Sequence, residues 1–237
     1  MSSRKGQRRP ARVVREQIAR ERRRRRTIWT SVAAAVLLVL AGMIGWGVYA
    51  SQRAGDVTPP AGATADGDGV ALGSGPVTID VYEDFLCPVC RTFEQQAGGT
   101  LDQLVAQGRA RVVYHPVAFL NRFSSTRYST RSAAASGCAA EGGKFREYAH
   151  ALFERQPPEG GAGLSDDELI EIGATVGLNR DSFGNCVRAN TFESWTEHVT
   201  EAAGRAGVTG TPTVLVNGQR VQPTAEAINA AVAAAGR

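Results

Sequence analysis

The chain has 237 residues and a net charge of +4, with a pI near 9.1. That surplus is local: residues 1–26 hold twelve Lys and Arg against Glu16 and Glu21, leaving 15 basic and 21 acidic residues in the remainder. The high pI therefore describes a tail, and the composition excludes a nucleic-acid binder of uniformly basic surface.

In chain order, residues 1–27 form a basic tail that ends in the run Arg22 to Arg26, expected to be solvated and cytoplasmic. Residues 28–50 contain no charge, and at ~1.5 Å per residue they span roughly 34 Å, enough for a bilayer core of about 30 Å. Trp29, Trp46 and Tyr49 stand near the two ends of this stretch, as interfacial aromatics do. With the basic residues upstream, the positive-inside rule places the N-terminus in the cytoplasm and the rest of the chain outside. The stretch is longer than a signal-peptide core, so it reads as an uncleaved signal anchor, with cleavage after Val48-Tyr49-Ala50 as the alternative. Residues 51–75, rich in Gly, Ala, Asp, Thr and Pro without apolar periodicity, read as a flexible linker.

The folded domain is expected over residues 76–237. Val77, Ile79 and Val81 alternate as in a strand, which runs into Phe85-Leu86-Cys87-Pro88-Val89-Cys90. Pro88 suits the first helical position, which leaves Cys87 at the helix mouth, facing unpaired N–H groups and the positive end of the dipole. Both favour the thiolate, the attacking species in disulfide exchange, and Cys90 is placed one turn later to resolve a mixed disulfide. Half of a zinc site or an inert structural bridge are the competing readings of this spacing. Four cysteines suit an oxidising compartment and permit three pairings.

Pro88 to about Gln107 reads as a helix bent or broken at Gly98-Gly99, followed by a strand around Val112-Val113-Tyr114. A helical block occupies about residues 121–200, with a capping-box signature at Ser165 and Glu168. Thr213 to Val216, an Asn217-Gly218 turn and Gln219 to Val221 read as a hairpin, and Pro223 to Ala235 as a closing helix. The order β-α-β, helical insertion, α-β-β-α argues for an α/β domain with one mixed sheet.

The strand–Cys87-Pro-Val-Cys90–helix unit, the helical insertion and Gly207-Val-Thr-Gly-Thr-Pro-Thr-Val-Leu-Val-Asn-Gly218 together resemble a thioredoxin-fold protein of the DsbA-like disulfide oxidoreductase family, especially its membrane-anchored actinobacterial members. The resemblance implies a cis peptide at Thr211-Pro212 facing the active cysteines, with the Thr211 backbone free to pair with an extended substrate segment. It implies a structural bridge between Cys138 and Cys186, against two buried free thiols or a second redox relay. Many thioredoxin-fold enzymes carry a buried carboxylate six residues before the first active Cys. Here that position is Val81, and the nearby acids Asp80 and Glu83 read as solvated strand-end residues, so no carboxylate relay is expected.

The implied function is an extracytoplasmic thiol oxidase. It would use the Cys87–Cys90 disulfide on exported cysteine-containing proteins and be reoxidised by a quinone-linked membrane partner of the DsbB or vitamin K epoxide reductase type. A thiol reductase or isomerase on the same scaffold, or a non-catalytic tethered peptide-binding module, are the rival readings. No bound cofactor, metal or nucleic acid is expected, and His115, His150 and His198 read as packing or surface residues.

Overall fold

A computed structural model of the chain describes residues 57–236, together with helical positions at 29, 32, 38–43 and 45. The anchor expected over residues 28–50 thus lies largely outside the described residues. Among the described residues, no helix is long and apolar enough to cross a membrane. The folded unit is Asp56–Arg237.

Its centre is a five-stranded mixed sheet of order β1-β3-β2-β4-β5. Strand β2 (Val77–Glu83) runs parallel to β3 (Ala110–Pro116), with Val81 opposite Tyr114 and Glu83 opposite Pro116. On its other edge β2 pairs antiparallel with β4 (Thr213–Val216), which turns through Asn217-Gly218 into β5 (Gln219–Val221). Both turn residues have positive φ, 47° and 79°, the primed geometry that matches strand twist. Val77, Ile79, Val81, Val112, Val214 and Val216 are all buried, and β2 and β3, central in the sheet, carry nearly continuous buried runs.

The β2–β3 crossover is α1 (Pro88–Phe93), a π-helical turn (Glu94–Gly98) and α2 (Gly99–Ala106). The helical block is α3 (Tyr128–Glu141), α4 (Phe145–Glu154), α5 (Asp166–Thr175), α6 (Arg180–Arg188) and α7 (Glu193–Arg205). Ser165 and Glu168 form the capping box of α5 reciprocally. Helix α8 (Ala225–Ala235) closes the chain, burying Ile228 and Val232.

One boundary differs from the sequence reading. Residues 57–75 are not a free linker: β1 (Val70–Leu72) pairs antiparallel with β3, and Ala63 bridges to Val70. Three ring nitrogens hold the preceding turn. Trp195 Nε1 donates to Gly67 O at 2.7 Å, His115 Nδ1 to Asp68 O at 2.6 Å, and His198 Nε2 to Asp66 O at 3.0 Å. The glycines that suggested flexibility serve close packing instead: a Cβ on Gly75 would sit 2.3 Å from Ala110 N.

Candidate active site

Cys87 is the N-cap of α1, with extended backbone (φ −74°, ψ 117°), and Pro88 starts the helix. Two partners hold the loop that delivers it. Asp84, fully buried, accepts from Leu86 N and Leu120 N, each at 2.9 Å. The Gln156 amide donates to both Phe85 O and Cys87 O at 2.9 Å, reaching across from the end of α4. Cys87 and Cys90 are free thiols, 6 % and 0 % exposed, while Val89 between them stands out into solvent.

Their environments push the two thiols apart. Cys87 falls from an ordinary value of 9.0 to about 6, chiefly through a hydrogen bond from Cys90, then Thr211 and the backbone N–H groups of Cys90 and Val89, against a desolvation cost. Cys90 rises well above the ordinary thiol value, mainly by desolvation, then through its hydrogen bond to Cys87 and the charge of Glu83. One thiol is set up to be thiolate and the other to stay protonated.

The Thr211-Pro212 peptide is cis, and the Cys87 thiol donates to Thr211 O at 3.5 Å. The chain thus brings Cys87, Cys90, Thr211 and Pro212 together at one end of the sheet. Cys138 and Cys186 lie elsewhere, joined as a disulfide between α3 and α6. No metal-holding group of His, Cys, Asp or Glu occurs among the described residues.

The acids depart from the sequence reading. Glu83 is not a solvated strand-end residue: it is 5 % exposed, and burial, with Glu94 adding to it, pushes its carboxyl well above the usual range. Asp80 is partly covered, with Oδ1 3.1 Å from His115 Nε2 and the His115 ring stacked on Tyr82. Asp84, which the sequence reading did not single out, is raised to about 6 by burial. No short-range signal marks these burials: Asp84 is a turn-favouring residue, and it does serve the turn at Phe85-Leu86, accepting from Leu86 N while Cys87 N donates to its carbonyl.

With that geometry in place, the family model described as Thioredoxin matches residues 67–234. The chain belongs to the thioredoxin family. Within it the chain is DsbA-like. It is 31 % identical to DsbA of Mycobacterium tuberculosis, with a TM-score of 0.58, covering 71 % of this chain and 99 % of that one. It is 32 % identical to the disulfide bond oxidoreductase DsbG of the same organism, with a TM-score of 0.60, covering 72 % of this chain and 84 % of that one. Among curated relatives it is 34 % identical over 160 residues to the serine/threonine-protein kinase PknE of Mycobacterium tuberculosis, 62 % of this chain but only 28 % of the kinase. The chain spans about a quarter of the length of that relative.

Proposed function

We propose that this chain is a thiol–disulfide oxidoreductase that works chiefly as an oxidase of exported, cysteine-containing proteins. The observation that carries the reading is geometric: Cys87 caps α1 beside the cis Thr211-Pro212 peptide, with Cys90 fully buried one turn behind it, an arrangement that lowers Cys87 and raises Cys90. In the oxidising direction a substrate thiolate attacks Cys87 Sγ, the Cys87–Cys90 bond breaks, and Cys90 departs with the electron pair. A second substrate thiolate then attacks the substrate sulfur of the mixed disulfide. Cys87 leaves as a stable thiolate, and the pair ends reduced by two electrons. A low value at Cys87 favours that last departure and stabilises the reduced form, which is what makes a disulfide oxidising. Thr211, whose carbonyl lies beside Cys87 Sγ, would align an extended substrate segment.

The same reading places the folded unit outside the membrane, with residues 28–50 as a single anchor and the basic tail in the cytoplasm. Support comes from the charge-free sequence and from the described helical positions 38–43, where Leu38, Val39, Leu40 and Met43 are exposed. Reoxidation would fall to a quinone-linked membrane partner of the DsbB or vitamin K epoxide reductase type. The test is oxidation of a dithiol peptide by the full chain under stoichiometric conditions. Wild type should close the peptide disulfide while C87A does not, and equal activity of the two would refute the reading.

A further inference from the structure

Gln156 lies just past the end of α4, half-buried, where Pro157-Pro158 stops the helix. Its Nε2 stands 2.9 Å from Phe85 O and 2.9 Å from Cys87 O. Both partners are carbonyl oxygens that can only accept, so the nitrogen side of the amide must face them, with both of its N–H groups engaged. That fixes the other end of the group. Among the described residues Oε1 accepts no hydrogen bond, and it is not one of the buried orphan atoms, so it stands open to water. The local donors that could fold back on it are missing. Pro157 and Pro158 have no N–H, and Gln156 N donates to Phe153 O at 3.4 Å.

An ordinary surface glutamine swings freely and loses that freedom when it binds. Gln156 is ordered beforehand. Two braces hold it. Phe153, three residues earlier on α4, sets its ring 5.1 Å from that of Phe85, which presses the helix end against the loop before Cys87. Beyond Gln156, Gly160 N donates to Phe123 O at 2.7 Å and Gly161 O accepts from Ser125 N at 3.1 Å, tying the following loop to the segment after β3. Oε1 is thus a fixed acceptor on the same planar group that touches the carbonyl of Cys87. Thr211 offers its backbone from a different element, the loop before β4, with its carbonyl 3.5 Å from Cys87 Sγ.

We propose that Gln156 is a substrate-positioning residue whose Oε1 accepts a backbone N–H of the client segment that presents its cysteine to Cys87. This deepens, and rests on, the oxidoreductase reading. The client then has two backbone contacts from two elements, one at Thr211 and one at Gln156. Both read the peptide group and neither reads a side chain, so they hold clients of many sequences in one orientation. Only a peptide can use Oε1 in this way. Dithiothreitol has no N–H to give it, and that difference separates the role from simple support of the loop.

The test compares two reductants of the oxidised full chain, dithiothreitol and a short synthetic dithiol peptide, by second-order rates from quenched alkylation and mass measurement. Q156M keeps the length of the side chain and removes both amide groups at a half-exposed position. It should slow the peptide about tenfold more than it slows dithiothreitol, the effect of one hydrogen bond. Peptides N-methylated at one residue at a time, on either side of the attacking cysteine, locate the contact. At one position methylation should slow wild type about tenfold and not slow Q156M further, whereas a position paired with Thr211 slows both proteins alike. Equal losses on the two reductants would overturn the proposal and leave Gln156 a support for the loop. A wild type indifferent to every methylation would overturn it too, without reference to any variant. A wild-type disulfide that neither reductant opens would instead refute the oxidoreductase reading itself.

Discussion

Cys87 and Cys90 differ only in what surrounds them, and at this scale the differences have measurable signs. The folded value of Cys87 is depressed from 9.0 to about 6, so its contribution to the stability of the reduced form is full above pH 9 and lost as the pH falls through about 6. That contribution is on the order of 4 kcal/mol at its maximum. The oxidised form has no such titration. With Cys138–Cys186 intact, urea unfolding should therefore show the reduced form gaining on the oxidised form between pH 6 and 9, and a pH-independent gap would contradict the assignment. Because Cys90 supplies the largest lowering influence, C90A should move the Cys87 midpoint upward from about 6, read from the pH dependence of its alkylation by iodoacetamide. Asp84 works by geometry: D84A strands the N–H groups of Leu86 and Leu120 and should cost about 2–3 kcal/mol in chemical denaturation.

At the scale of elements, the short-range signals in the chain were readable and the long-range ones were not. The Cys87–Cys90 helix start, the Asn217-Gly218 hairpin and the Ser165–Glu168 cap each depend on residues a few positions apart. The irregularity expected at Gly98-Gly99 lies just ahead of it, as a π-helical turn over Glu94–Gly98, with Gly98 and Gly99 themselves in αR backbone. Strand β1 was hidden because it is three residues long inside a Gly- and Asp-rich segment, and its pairing partner lies some forty residues on, in β3. The burial of Glu83 was hidden for a similar reason. Whether a strand-end acid meets water depends on what packs above it, and here α4 supplies Arg146, whose charge bears on Glu83, from more than sixty residues downstream. A buried Arg146 paired with Glu94 and Asp102 is an element-level lock between the crossover and α4. R146A should cost about 3–5 kcal/mol, measured by the denaturant midpoint, by removing the Arg partner of the buried Glu94 carboxylate.

For the whole folded unit, the disulfide and the site occupy different parts of the fold, and their roles should separate in experiment. The Cys138–Cys186 bridge closes 48 residues of the helical block. In the chain-entropy model such a closure stabilises by roughly 4 kcal/mol, so the double variant C138A/C186A should unfold at lower denaturant while its Cys87–Cys90 pair still exchanges with glutathione. Direction of electron flow is the central claim at this scale, and a single number decides it. The reduction potential of Cys87–Cys90, measured in the full chain by equilibration with glutathione, should lie above about −180 mV, the range of strongly oxidising pairs. A value near −270 mV, the potential of thioredoxin, would contradict the oxidase and leave a reductase in its place.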